Sequence, residues 1–193
     1  MNEGCEGGWP HFNAIFAENA HLVQEECAPY KQMTKGEHCS KFKDCKGEAR
    51  VQRTYDVGNG YGQTSEKHMM KEILRNGALN TEFQAPGVFG SYKSGILSAD
   101  GTKKLHELSL GQSEGHTASN ISDTTLTGRG KAFEKVNHSV ILTGWGEDAE
   151  TGQKYWIARN SYGPKFGMDG DFLVARGTDD FGIESEQVAF DIE

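Results

Sequence analysis

Two short apolar runs stand out in the last third of the chain, Val140-Ile141-Leu142 and Tyr155-Trp156-Ile157-Ala158. Each reads as a strand, and the polar stretch 147–152 between them reads as a turn. His138 heads the first run, and Asn160 stands just after the second, twenty-two residues later. An antiparallel hairpin would bring the two side chains together. A neutral imidazole held by an amide oxygen is the base-and-orienter half of a nucleophilic site. Such a site still needs a nucleophile.

Further strands are expected at 49–57, which alternates and ends in a glycine-rich turn at 58–62, and at 78–84, 171–175 and 187–190. Val88-Phe89 and Tyr92 lead to another short run at Gly95-Ile96-Leu97. Helical spacing occurs twice. Pro10 suits an early helical position, with Phe12, Ile15, Phe16 and Ala20 following at helix-like intervals. Thr64 is placed to cap a second helix through Met69, Met70, Ile73 and Leu74, stopping at Asn76-Gly77. Those methionines are expected in the core. Residues 98–135 are polar, rich in Gly, Ser and Thr, and read as one long loop, a length that is normally functional or disordered. Asn120-Ile121-Ser122 is a glycosylation sequon that matters only in a secreted protein; Asn137-His138-Ser139 fits the same pattern but is expected inside the site.

Composition narrows the class. The 193 residues suit one domain or two small lobes, and 25 glycines with 35% hydrophobic content favour a loop-rich α+β protein over a helical bundle. A formal charge of −8 argues against nucleic acid or an anionic membrane as the main partner. No apolar run approaches the roughly 18 residues of a transmembrane helix. Met1 is followed by Asn-Glu-Gly-Cys rather than a charged and then apolar leader, so no signal peptide is expected in this stretch. No cofactor is implied. Three of the four cysteines, Cys27, Cys39 and Cys45, lie in the polar stretch 23–47, which reads as an irregular loop held by at least one disulfide. Free thiols, or a zinc knuckle with His38, are the alternatives; the absence of C-x-x-C weakens the zinc reading, and no metal site is expected.

Several pieces together carry a family resemblance: Gly4-Cys5-Glu6-Gly7-Gly8, V-Q-E-E-C-A-P-Y at 23–30, Asn137-His138 ahead of G-W-G, Arg159-Asn160-Ser161, the stretch 163–170, and R-G-T-D at 176–179 with G-I-E-S at 182–185. In that order they resemble the papain family of cysteine peptidases, and within it the cathepsin C (dipeptidyl peptidase) branch. The resemblance implies an α+β fold of the papain-like type. Residues 1–48 would be the remainder of a helical lobe and 49–193 mainly a β-barrel-like lobe, with 98–135 as a loop insertion. It implies hydrolysis of peptide bonds by a cysteine thiolate, with His138 as the imidazole and Asn160 as its orienter. Peptides or proteins are the implied substrates. Tyr162 replaces the usual tryptophan that shields the His–Asn bond from water, and Phe166 and Met168 replace the usual Trp and Glu.

Cys5 lies 133 residues before His138, within the family's spacing of roughly 130–150. Its Gly-Cys-Glu-Gly-Gly context, however, resembles a later motif whose cysteine is disulfide-bonded. The catalytic cysteine is therefore expected on a preceding peptidase segment, in the same precursor or another chain. The same resemblance pairs Cys27 with Cys45 and leaves Cys5 and Cys39 with partners elsewhere; Phe181 stands where a cysteine is common. It assigns substrate contacts to Gly7, Gly8, Trp9, Pro10, Val136, Asn137, Ser139 and Tyr162, and puts Glu186 at the floor of the pocket for the second residue before the cut. A carboxylate there would favour a basic side chain. Dipeptide release would need an additional domain that binds the substrate's free amine, and nothing here corresponds to it. The disulfides point to a lysosomal, vacuolar or secreted location. Two other readings stand beside the peptidase: a non-catalytic homologue that binds peptide or a protein partner, and a disulfide-held structural domain.

Overall fold

A computed structural model of the chain describes residues 2–3, 6–29, 45–47, 49–60, 62–102 and 136–193. The described elements are helix α1 (Pro10–Asn19), strand β1 (Val51–Asp56), helix α2 (Glu66–Asn76), and strands β2 (Leu79–Phe83), β3 (Ile96–Leu97), β4 (His138–Glu147), β5 (Lys154–Arg159), β6 (Asp171–Ala175) and β7 (Gln187–Ile192). This is the expected α+β class. The seven strands follow the order β1-β7-β2-β4-β5-β6-β3. The pairs β2–β4, β2–β7, β4–β5 and β5–β6 are antiparallel, and β3–β6 is parallel. The chain divides into two compact units: residues 1–55 with 190–193, and residues 56–189. Most of the polar stretch 98–135, with its sequon at Asn120, and both Cys5 and Cys39 lie outside the described residues.

In the smaller unit, α1 starts at Pro10, whose missing N–H would be unpaired there in any case. Its buried positions are Ala14 and Ala17, whereas Phe12 and Ile15 are exposed and Phe16 is 68% exposed. The apolar spacing thus predicts the helix but not the side it buries within this unit. The end of α1 meets the segment leading into β1. Arg50 Nε donates to the Glu18 carbonyl, and the Thr54 N–H donates to the Glu18 carboxylate. Cys27 and Cys45 form a disulfide with their Cα atoms 5.9 Å apart, the pairing that the resemblance implied.

In the larger unit, β2 and β4 place Leu79, Thr81 and Phe83 opposite Leu142, Val140 and His138. Paired residues of an antiparallel ladder share a face. That face meets Phe89, Phe166 and Phe172, with Phe83–Phe89 and Phe89–Phe172 centroids 5.3 and 4.9 Å apart in edge-to-face geometry. Trp156 and Phe172 are wholly buried. The β4–β5 turn is fastened by the Asp148 side chain, which accepts from the Glu150 and Thr151 N–H groups and from the Thr151 hydroxyl.

Helix α2 stops at Asn76-Gly77 as expected but departs from expectation at its N-cap and at Leu74. Its N-cap is Ser65, whose hydroxyl accepts from the His68 N–H, not Thr64. Thr64 is buried and donates instead to the Val57 carbonyl. Two adjacent hydroxyl residues can both satisfy a cap rule; burial of the first commits it to the neighbouring turn. Met69 is core as expected, but Met70 is only half-buried and Leu74 is 76% exposed, because the helix presents only one side to the sheet. Gly77 ends the helix with φ 89° and donates its N–H to the Ile73 carbonyl. Ser65→Ala is expected to lower stability by about 1 kcal/mol in urea denaturation, with Ser65→Asp restoring most of it. Equal loss in both variants would show that the cap does not hold this helix.

Candidate active site

His138 begins β4 and Asn160 follows the last residue of β5. The register Ile141↔Arg159 brings the two together, and His138 Nε2 lies 2.8 Å from Asn160 Oδ1. The proton on that bond can be assigned. Asn160 Oδ1 also accepts the Ser161 N–H at 2.8 Å, so this atom is an acceptor and Nε2 must be the donor. In the neutral ring Nδ1 is then left without a proton, as a base requires. Asn160 is buried, and its Nδ2 has no hydrogen-bond partner among the described residues.

Aromatic rings fix the imidazole. Phe83, directly opposite His138 in the ladder, and Phe89 both have centroids 5.7 Å from it. Tyr162 lies 5.2 Å away on another side, and it also touches Phe89 and Phe166. Tyr162 remains 55% exposed, so it covers the ring from solvent while itself facing water. Phe166 is buried against Tyr92 and Phe89, and Met168 lies at the surface. After Asn160 the chain makes a tight excursion closed by the Asn160 N–H to the Gly170 carbonyl and the Gly170 N–H to the Phe166 carbonyl. Gly167 in this loop has φ 52°, and a Cβ there would sit 2.4 Å from the Asp171 carbonyl oxygen, so no side chain fits.

These parts, a histidine on one strand, an asparagine after the next and an aromatic lid in the loop beyond, are matched by a family model. The Papain family cysteine protease model aligns with residues 1–112 and 112–190. The chain belongs to the papain family of cysteine proteases. It is 33% identical over 191 residues to "Cathepsin C" of Schistosoma mansoni, covering 98% of this chain and 37% of that protein. It is 34% identical over 137 residues to "Dipeptidyl aminopeptidase 1" of Plasmodium falciparum, covering 68% of this chain and 18% of the relative. The chain therefore spans well under half the length of either. Among solved structures it superposes with a TM-score of 0.71 at 22% identity on the bromelain protease from Ananas comosus, covering all of this chain and 74% of that one, which shows the papain-like fold.

Within the papain-family frame, the remaining candidate residues fall in both units. Gly7, Gly8, Trp9 and Pro10 are in the smaller one. Gly7 is open, with φ 101°, but the space beside Gly8 holds the Asn2 side chain, whose Oδ1 accepts the Trp9 N–H. In the larger unit Val136 is half-buried, and Asn137 uses its Oδ1 to accept the Ala85 N–H, which fixes the segment entering β4. Ser139 accepts from Asn80 Nδ2 at 3.1 Å. Glu186 is half-buried; its carbonyl accepts from the Glu82 N–H and the Thr81 hydroxyl, and it lines a small hollow with Asp56, Val57, Gly60 and Gln187. Cys27 and Cys45 are the only cysteines among the described residues, so none of these places a free thiol beside His138.

The structure gives two further residues a place: Glu184, part of the G-I-E-S motif, and Glu82, which the sequence did not single out. Glu184 is buried and accepts from Trp156 Nε1 and the Gly177 N–H at 2.9 and 2.6 Å. Its own N–H donates to Asp179, which takes a left-handed φ of 54°. R-G-T-D and G-I-E-S each supply part of this network. Burial raises the Glu184 carboxyl above its usual range, and the two donated hydrogen bonds oppose that rise. Glu82 is the second. It is only 5% exposed on β2, and burial, then the nearby Glu186 charge, push its pKa up to about 7. Its signal in the sequence is a lone carboxylate within the strand Leu79–Phe83.

Because the folded protein holds the Glu82 proton more tightly than the unfolded chain does, Glu82 makes stability fall as pH rises from about 4.5 to about 7. Glu82→Gln is expected to raise Tm by a few degrees at pH ~8 and to leave it nearly unchanged at pH ~4. A variant with the same pH–Tm profile as the parent would refute this burial.

Proposed function

We propose that the chain supplies the histidine and asparagine of a papain-like active site that hydrolyses peptide bonds, with a cysteine thiol contributed by a segment outside these 193 residues. The single observation behind this reading is the His138–Asn160 bond with its donor assigned, which leaves Nδ1 as the base. The thiol would give its proton to Nδ1, and the thiolate would attack the peptide carbonyl. The imidazolium, its Nε2–H held by Asn160, would then return the proton to the leaving amine. Water, deprotonated by the same nitrogen, would release the acyl group from sulfur. The nucleophile is placed outside because Cys5 stands in the disulfide-type Gly-Cys-Glu-Gly-Gly context.

Dipeptidyl aminopeptidase action is the narrower proposal, supported by the similarity to the Schistosoma and Plasmodium proteins. Substrate contacts at Gly7, Gly8, Trp9, Pro10, Val136, Asn137, Ser139, Tyr162 and Glu186 belong to the same proposal. So does a lysosomal, vacuolar or secreted location, which the Cys27–Cys45 disulfide favours. A second reading, a non-catalytic homologue that binds peptides, is favoured by Tyr162, which leaves its hydroxyl face in water where tryptophan would be closed.

Full-length protein containing this chain should be labelled by a thiol-reactive peptidyl electrophile and should cleave peptide amides. His138→Ala should reduce kcat/KM by about 10²–10⁴-fold. Asn160→Ala should reduce kcat by a smaller factor with KM little changed. Absence of labelling in the parent protein would leave the binding reading in place.

A further inference from the structure

We propose that Asn2 is a positioning residue for substrate: its side-chain amide holds the Trp9 backbone and so aims the Gly8 carbonyl at the N–H of an extended peptide. The inference rests on the reading of Gly7, Gly8 and Trp9 as substrate contacts. Asn2 Oδ1 accepts the Trp9 N–H at 2.7 Å, and Asn2 Nδ2 donates to the Trp9 carbonyl at 3.2 Å. One side chain thus takes both polar groups of one backbone residue, as a paired strand would. Asparagine suits this place because it carries a donor and an acceptor side by side in one short plane. A third bond, from Asn2 Nδ2 to Asn13 Oδ1 at 2.6 Å, ties the amide to α1.

This arrangement is not a helix cap. A cap accepts N–H groups inside the first turn, whereas Asn2 accepts from Trp9, which precedes α1 and is extended, with φ −114° and ψ 132°. The effect falls on the residue before Trp9. The Gly8 carbonyl and the Trp9 N–H belong to one planar trans peptide and point in opposite directions. With the Trp9 N–H turned to Asn2, the Gly8 carbonyl is turned away from it. No backbone hydrogen bond to that carbonyl occurs among the described residues. An acceptor so presented suits a peptide N–H running alongside as an added strand.

Asn2 also accounts for the glycine at position 8. A Cβ there would sit 2.3 Å from Asn2 Oδ1 and 2.7 Å from Asn2 Cβ, so no side chain fits on that side. Gly7 differs: its φ of 101° calls for glycine, but nothing lies within 4 Å of where its Cβ would be. The Gly7 carbonyl accepts the Glu3 N–H at 2.9 Å, a second tie between the residues at Asn2 and the glycine pair. Asn2 therefore backs the segment from one side and leaves the other side to substrate. All of these residues lie in the smaller unit.

The test uses the full-length protein with the fluorogenic dipeptide Ala-Phe-aminomethylcoumarin, its acetyl form, and versions of each with one amide N–H methylated. Asn2→Ala should raise KM about tenfold with kcat kept, the mark of lost binding common to ground and transition states. Asn2→Asp, which keeps an oxygen for the Trp9 N–H, should recover most of the loss. The peptide methylated at the N–H that meets Gly8 should bind parent and Asn2→Ala protein equally, because the bond that Asn2 supports is already gone. If Asn2→Ala does not fold, Asn2→Ser carries the comparison, since one hydroxyl cannot serve both Trp9 groups. An unchanged KM in Asn2→Ala, a loss that falls on kcat alone, or the same tenfold loss on every methylated peptide would overturn the proposal. Affinity measured by NMR titration separates it from the peptidase reading. Peptide binding that weakens in Asn2→Ala, without cleavage by the parent, keeps the positioning role and removes the peptidase. Cleavage indifferent to Asn2 keeps the peptidase and removes the positioning role.

Discussion

The site depends on the register of β4 against β5. From Trp145 onward β4 is paired with Trp156 and its neighbours, but between Leu142 and Gly144 the ladder shifts by one residue. Thr143 is the extra residue, and its hydroxyl lies near the Ile157 carbonyl. A bulge of this kind reverses which side of the strand the preceding residues face. Leu142 and Trp145, three apart, therefore lie on one side with Trp156 and Ala158. His138, in phase with Leu142, shares that side and meets the Phe83, Phe89 and Tyr162 rings. Without the bulge, the imidazole would point to the opposite side of the sheet, away from Asn160.

The packing around the imidazole follows from this register. Phe83 lies opposite His138 because β2 pairs with β4 in phase with Thr81↔Val140. Phe172 on β6 stacks under Phe83 at 5.8 Å, and the 3-10 turn at Phe89–Ser91 inserts Phe89 between them and Tyr162. The ring is thus walled by hydrocarbon on the sheet side. Its Nε2 is engaged by a buried amide, which leaves one nitrogen for chemistry. Asn160 is in turn held by the backbone of the excursion that ends at Gly170.

The opposite side of β2 has a different character. Asn80, Glu82 and Ser139 share that side with Ile141, and the Glu82 N–H donates to the Glu186 carbonyl. Glu186 reaches this place because the Asp179–Glu184–Trp156 network clamps the turn before β7. A single strand, β2, therefore carries an aromatic cradle on one side and buried polar side chains on the other.

Local sequence pattern set the elements and the chemical inventory. Apolar runs of four or so residues, bounded by turn formers, were sufficient to place the β4–β5 hairpin, because strand formation and turn chemistry are local. His138 and Asn160 were legible as neighbours because a hairpin brings its own ends together, but the bulge at Thr143 that turns the imidazole toward Asn160 was not. Contacts across the fold were not legible. The choice of Ser65 over Thr64 as a cap, the exposure of Leu74, the burial of Ala14 and Ala17 in place of Phe12 and Phe16, and the side of β2 on which Glu82 lies all depend on what packs against each element. Those neighbours are distant in sequence. The burial of Glu82 among strand residues came from the folded packing, since local pattern sets which positions share a face and distant packing sets whether that face sees water.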